Sequence, residues 1–526
     1  MQLLRCRPIL TAVILSLFLS APGSARAVPS SDFAGVDDRW KIHRSPHFEL
    51  FSHWGEQSSR ELLQRLELLR TVFFDTNRLA EREPLEVTVF AFSDRREFEA
   101  YCTPKMKRVS GYYLARPDRA VIALAQTENR DWDQRVIFHE YVHHLIKVSG
   151  QNPPLWLNEG MAEMFSTIEV KSKSLVFGRP VANAVAHLQQ SSPMPLAALF
   201  ASEQANVFTP SEEHAGLFYS QSWALLHYWY FGDTKVPLER IRGFVQRLME
   251  RPDAVPAADL PRAFREATGE DYAATERKLG DYVRYGRYAA RTMPLPQIPG
   301  PETYSSASLA AKEIRERLAE LSLRSLRDPR AKFVLLTALD GPNRIRALET
   351  LGTEEYADGN PAVALARWDE ALAAGSTNPA VFHVVGQLDG WRWFAQFDYY
   401  FRLPPERAER LRRLLLRSIE VAPQQSDAYE LLAWVESAAP EPSIRHVNLV
   451  QRKFSTLRNK ARTLVALALV RVRMNDLEAA RAMLEDVAQF SPEPAAVRSV
   501  EFIRKRLDTD ETASPTTGEI EAKGER

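Results

Sequence analysis

The chain has 526 residues, too many for one hydrophobic core, so two or three domains are expected. A hydrophobic share of 45% with 26% charged residues is that of an ordinary globular protein. Lys+Arg and Asp+Glu both total 68, which excludes the charge excess of a nucleic-acid binder or a polybasic membrane surface.

Residues 1–27 differ from the rest. Arg5 and Arg7 precede a short apolar run from Ile9 to Leu19, and Ala25-Arg26-Ala27 fits a small-x-small cleavage site. The segment is expected to be a cleaved signal peptide, because its apolar run is too short for an anchor helix. No later stretch is apolar enough to span a membrane, so the expected location is the periplasm or the exterior. Cys6 leaves with the signal and Cys102 remains alone, so no internal disulfide is available.

Residues 28–296 form the first expected domain. Residues 39–52, RWKIHRSPHFELFS, alternate like a strand, and 56–74, EQSSRELLQRLELLRTVFF, carry apolar residues at helical spacing. A β-branched and aromatic strand follows at 85–92, then a short helix behind a Ser-Asp cap. Residues 110–125 are two apolar runs around a Pro-Asp turn, which predicts a hairpin. Next comes DWDQRVIFHEYVHHLIKVSG, a helix expected to start at Asp131 or Asp133 and to stop at Gly150.

On that helix His139 and His143 lie four apart, about 40° around the axis and one turn along it, so both imidazoles can meet one ion. Glu140 lies beside them, where a base for a metal-activated water belongs. His144 is one place further round and is expected to be structural. A third ligand is expected from NPPLWLNEGMAEMF, residues 152–165, a second helix opening at Pro154. An antiparallel helix pair with a short loop brings Glu159 opposite the histidines. Glu163, one turn on, is placed to accept the outer N–H of a liganding histidine. The exchanged assignment, with Glu163 as the ligand, stays open at this point. GLFYSQSWALLHYWYFG, residues 216–232, is an aromatic helix in which Ser222 and His227 are expected to be structural.

Residues 297–345 open with the Pro/Gly-rich QIPGPETYSS and are expected to be a helical linker. From 346 to 507 a repeat is visible. Leu351-Gly352, Tyr356, Gly359, Ala364, Trp368 and Ala371 resemble the tetratricopeptide repeat. Val385-Gly386 follows 34 residues after Leu351-Gly352, and Leu432-Ala433 and Leu467-Ala468 are 35 apart. Pro423 and Pro492 close helices as repeat prolines do, and FAQFDYYFRLPPE interrupts the second unit as an insertion. The polar tail, 508–526, is expected to be disordered.

His139-Glu140-x-x-His143 followed by WLNEG resembles the gluzincin metallopeptidases. LWLNEGMAE is similar to the matching segment of the aminopeptidase N family. Closer still is the resemblance to the peptidase MA-like group of exported bacterial proteins, often joined to tetratricopeptide repeats. It covers roughly residues 35–290. It implies an α+β zincin-like metallopeptidase domain followed by an all-α tetratricopeptide-repeat solenoid. It also implies one zinc ion per chain on His139, His143 and Glu159, Glu140 as general base, and Glu163 as support for a histidine. The helix at 216–232 resembles the Tyr-x-x-Gly/Ser start that carries an oxyanion-stabilising tyrosine in these peptidases, which implies Tyr219. The interval from His143 to Glu159 is three residues shorter than in the aminopeptidases. Their Gly-x-Met-Glu-Asn motif is missing, so an endopeptidase is favoured over an exopeptidase.

The expected function is hydrolysis of peptide bonds in a peptide or protein substrate, with the repeats binding substrate or a protein partner; the resemblance also implies that the strand at 120–124, AVIAL, pairs with an extended substrate. The alternative is an interaction scaffold in which the peptidase-like domain is structural or inactive.

Overall fold

A computed structural model describes residues 33, 35–104, 106–108, 110–126, 130–171, 173–203, 212–232, 236–250, 255–394 and 401–490. The segment expected to be a signal peptide, Pro492 and the polar tail lie outside these residues. The architecture is mixed α/β around a six-stranded sheet, with an all-helical C-terminal region. The chain divides into two compact units, one ending at Asn360 and one running on from Pro361.

The first unit opens with β1 (Lys41–Arg44), β2 (Phe48–Ser52), α1 (Glu56–Asn77), β3 (Val87–Phe92) and α2 (Arg95–Glu99). Residues 39–52 alternate as a strand should, yet they form two strands. Ser45-Pro46-His47 turns the chain back, with the Ser45 N–H bonded to the Phe48 carbonyl at 3.1 Å, so β1 pairs antiparallel with β2. Asp94 caps α2 by accepting from the Glu97 N–H at 2.9 Å. The hairpin at 110–125 is β4 (Gly111–Ala115) and β5 (Ala120–Ala125).

Strand order is β4-β5-β3-β2-β1-β9, with β5, β3 and β2 parallel and the flanking pairs antiparallel. β3 and β5 are buried along their whole length. Their alternate residues serve opposite faces, Val87, Val89, Ile122 and Leu124 on one side and Phe90, Phe92, Val121 and Ala123 on the other. Burial on both faces is why VTVFAF and AVIALA are continuous apolar runs.

One face is covered by α1 and α3 (Arg130–Val148). α3 begins at Arg130, so Asp131 and Asp133 fall inside it instead of capping it. α4 (Leu155–Ser166) leads into a smaller body that shares this core. That body comprises β6 (Glu169–Val170), β7 (Ser174–Phe177), α5 (Ala182–Gln190), α6 (Leu196–Phe200), α7 (Glu212–Phe231), α8 (Leu238–Glu250), α9 (Leu260–Thr268), α10 (Tyr272–Tyr285) and β8 (Arg291–Pro294).

The other face of the large sheet is covered by the segment expected to be a linker. β9 (Ser305–Ser308) pairs antiparallel with β1, and α11 (Ala311–Leu326) and α12 (Pro329–Thr337) bury Ile314, Leu318, Leu321 and Leu335 against Phe90, Phe92 and Val121. α13 (Arg344–Ala357), with Leu351 and Gly352, belongs to the same unit. The reason is the sheet: two fully buried strands need cover on both sides, and on this one α2 and the residues around it, Phe98, Tyr101 and Met106, supply only part of it.

Among the apolar residues of that face lies a network of buried charges. Asp118 accepts from Arg324 at 2.6 and 3.0 Å, and Arg119 pairs with Glu349. Arg346 bridges Glu320 and Glu49 at 2.6 and 2.7 Å. Each of these arginines has a carboxylate partner, as burial of charge requires.

The second unit holds α14 (Pro361–Ala373), α15 (Pro379–Phe394), α16 (Pro405–Val421), α17 (Ser426–Ala438), α18 (Ile444–Lys453), α19 (Lys460–Arg473) and α20 (Leu477–Phe490). The small residues of its period sit where helices approach closely. A Cβ on Gly386 would lie 3.2 Å from Leu415, and one on Gly390 only 2.6 Å from Leu431.

Candidate metal centre

α3 ends at a left-handed Gly150, φ 71°, and the Gln151 N–H reaches back to the Ile146 carbonyl at 3.2 Å. The loop to α4 is short and tied down, with the Asn152 N–H on the Met249 carbonyl at 2.8 Å. Pro154 precedes the first helical residue, its ψ of 155° setting the entry into α4. Phe138, Val142 and Leu145 on α3 and Leu157, Met161 and Phe165 on α4 are buried in one core. That packing turns the remaining stripe of each helix toward the other.

On those stripes His139, His143 and Glu159 come together. The two Nε2 atoms are 3.2 Å apart, and Glu159 Oε2 lies 3.3 Å from one and 3.4 Å from the other. A tetrahedral site with arms of about 2.05 Å has donor–donor edges of about 3.3 Å. Glu159 is 2% exposed, and its Oε2 has no hydrogen-bond partner. Two imidazole nitrogens and an orphaned buried carboxylate oxygen, converging at that spacing, fit a zinc ion.

The outer nitrogens fix the tautomers. His143 Nδ1 donates to Asn158 Oδ1 at 2.8 Å, and His139 Nδ1 lies 3.3 Å from Glu163 Oε1. With the proton on Nδ1, each Nε2 presents its lone pair to the centre. Arg135 donates to the far oxygen of Glu163 at 3.3 Å and holds it in place. Glu159 is therefore the member of the acidic pair at the inner nitrogens, and Glu163 is the one behind.

Burial opposes charge on His139, but the carboxylates of Glu159 and Glu163 beside it outweigh that and hold its pKa well above the ordinary value, so an ion bound there has to displace the inner proton. His143 is raised too, because the charge of Glu159 overcomes its burial. Against its own burial, the charges of His143 and His139 hold Glu159 down to about 2. Its carboxylate is ionised, as a ligand must be.

Glu140 is half-buried on α3, and its charge reaches His143, Tyr113 and Tyr219. Tyr219 comes from α7, its ring centroid 6.1 Å from that of His139. Burial and the charges of Glu159, Glu140 and Glu163 push the Tyr219 hydroxyl well above its usual pKa, so it remains a donor. α7 reaches the site because of Gly160. A Cβ there would stand 2.7 Å from the Ser222 carbonyl oxygen, so only glycine lets α4 and α7 approach this closely.

His144, Ser222 and His227 lie outside the cluster. His144 Nδ1 meets the Tyr113 hydroxyl at 3.1 Å, and burial pushes its pKa down to about 3. Ser222 packs on Gly160. His227 is fully buried between the Tyr282 hydroxyl and the Gly178 carbonyl, each at 2.7 Å.

Sequence reasoning missed Asn158, Arg135 and Tyr113. Asn158 stands next to Glu159 in the motif, and its place 100° round the helix was the available signal. Tyr113 arrives through sheet pairing and carried none. One other group of metal-ligating types occurs among the described residues, Asp37, His53 and Glu97. There the carboxylates sit on opposite ring nitrogens, Nε2 to Asp37 at 3.0 Å and Nδ1 to Glu97 at 2.8 Å, and Arg39 neutralises Asp37. That arrangement ties the entry to β1 onto α2 and lacks the convergence of the first cluster.

Compared with protein-family models and with curated proteins, the chain finds no match. No helix among the described residues is long and apolar enough to cross a membrane.

Proposed function

We propose that the chain is an exported zinc metallopeptidase of the gluzincin type, cutting within peptide chains. The observation that carries this reading is the convergence of His139, His143 and Glu159 at tetrahedral spacing around an orphaned carboxylate oxygen. Such an ion would be held by these three residues and would supply Lewis acidity toward water and the scissile carbonyl. Glu140 takes the proton of the attacking water and hands it to the leaving nitrogen. Tyr219 donates to the oxygen on which charge develops. Asn158, Glu163 and Arg135 keep the ligands aimed.

Residues 120–124 were the expected partner for an extended substrate, but β5 is paired on both sides, by β3 and β4. The strand at the sheet's edge beside α3 is β4, so in this reading the substrate backbone adds to β4. Its sequence, GYYLA, carries no carboxylate to grip an α-amino group, which favours an endopeptidase. Helices from Pro361 onward, with closely approached Gly386 and Gly390, support a tetratricopeptide-type solenoid that binds substrate or partner. Export rests on the N-terminal sequence.

The test is the metal content of residues 28–526 with Glu159→Ala and Glu140→Gln alongside, followed by a peptide-library screen. One zinc per chain, lost in Glu159→Ala, is expected. Glu140→Gln should keep the ion and lose activity by about 10²-fold or more. A wild type that takes up no zinc sinks the reading. Zinc without hydrolysis, in a protein whose phenotype depends on residues after Pro361 alone, makes the chain a scaffold.

A further inference from the structure

The third histidine of the segment is buried, conspicuously polar, and unused by the metal cluster. Glu140 and His144 are four apart on α3 and share one stripe of the helix. That stripe faces β4, because His144 Nδ1 meets the Tyr113 hydroxyl at 3.1 Å. The His144 ring is stacked on Tyr141, centroids 5.4 Å apart, and edge-on to Tyr113 at 5.9 Å, so its orientation is fixed by packing. Glu140 acts electrostatically on the same Tyr113 hydroxyl.

The two ends of β4 are held by other means. At the start, a Cβ on Gly111 would lie 3.2 Å from the Ala123 carbonyl and 3.5 Å from Val136, so the strand begins close against α3. At the far end, Arg116 donates to Glu354 and to the Arg324 carbonyl, at 3.2 and 2.9 Å. The middle of the strand has neighbouring strand on one side only. There the Tyr113–His144 hydrogen bond is the polar tie to the helix that bears Glu140.

We propose that Tyr113 and His144 are a positioning pair, holding the middle of edge strand β4 at a fixed spacing from Glu140. The inference rests on the reading that β4 takes an extended peptide. A loose strand would first have to be ordered before a substrate could pair with it, which weakens substrate binding and leaves the ion in place.

The test compares Tyr113→Phe, His144→Leu and His144→Gln in residues 28–526 loaded with zinc. The readouts are zinc content, amide hydrogen exchange over 111–115, and kinetics on a quenched-fluorescence peptide pool. Zinc should stay at one per chain in all three. Loss of one hydrogen bond should speed exchange and raise KM by about tenfold in the first two variants, with kcat changed less. Gln keeps a hydrogen-bonding head group, and His144→Gln should recover part of both effects. Wild-type exchange and wild-type KM in Tyr113→Phe and His144→Leu would overturn the proposal. If the parent protein binds zinc and cuts no peptide, the peptidase reading fails separately. Exchange over 111–115 then still decides whether the pair pins the strand.

Discussion

Asn158 does for His143 what Glu163 does for His139, and it does so without charge. Its carbonyl oxygen, 2.8 Å from Nδ1, keeps the proton on the outer nitrogen. Removing such an outer partner lowers metal affinity by roughly 10–100-fold. Asn158→Ala should therefore weaken zinc binding by that factor, measured by competition with a chelator, while Asn158→Asp should retain it. Equal affinities for wild type and Asn158→Ala would show that packing alone orients His143. The convergence of His139, His143 and Glu159 was legible in the sequence because helix geometry and a short loop dictate it. Asn158 was hidden by its neighbour: the eye follows the four-residue stripe from Glu159 to Glu163 and passes the residue beside it. His43 was equally silent. It is fully buried on β1 with both ring nitrogens unpartnered, and burial brings its pKa from 6.5 down to about 4. Between those values the unfolded chain binds a proton that the folded chain refuses, so stability falls as pH falls through that window. The loss should approach about 3 kcal/mol at its acid end. Urea midpoints at pH 7 and pH 5 should differ in wild type by more than in His43→Leu; equal differences would assign the acid sensitivity elsewhere.

At the level of elements, the site depends on a close approach of two helices. Gly160 faces the Ser222 carbonyl oxygen at 2.7 Å and Leu226 Cδ1 at 2.9 Å from the place a Cβ would take. A carbonyl in the middle of α7 cannot step aside without moving the helix, and Tyr219 rides on that helix one turn earlier. Gly160→Ala should lower stability by about 1–3 kcal/mol through overpacking. It should also lower kcat with zinc still bound, since His139, His143 and Glu159 lie on the two helices that need not move. A variant as active and as stable as wild type would show that the α4–α7 contact is slack. Strand placement was less legible than helix placement. Residues 39–52 carry the look of one alternating strand, yet the turn at Pro46 folds them into a hairpin. The order of β5 and β4 in the sheet follows from long-range pairing, which no local period encodes. That is why β5 rather than β4 was the expected substrate strand.

Across the whole molecule, the informative boundary is the one at Asn360. Composition marks the Pro/Gly-rich stretch near Gln297, and a linker there is the natural expectation. What composition cannot convey is that β3 and β5 are buried on both faces, so a domain ending at Pro296 would strip Ile314, Leu318, Leu321 and Leu335 from the face that carries Phe90, Phe92, Val121 and Ala123. It would also strand Asp118 without Arg324, and Arg119 without Glu349 and Glu320, where both are now almost fully buried. Against the roughly 5–15 kcal/mol that hold a domain together, losing the apolar cover of this sheet face is decisive. Residues 28–360 should therefore express as a cooperatively melting protein that binds one zinc, and residues 28–296 should aggregate or melt without a transition. The comparison is a thermal melt followed by circular dichroism, with zinc content on the same samples. Should 28–296 melt as sharply as 28–360 and hold its zinc, the buried charges would be bystanders and β9 through α13 an appendage. Should it fail, the helix carrying Leu351-Gly352 belongs to the unit that holds His139, His143 and Glu159 even though its sequence follows the period of the repeats.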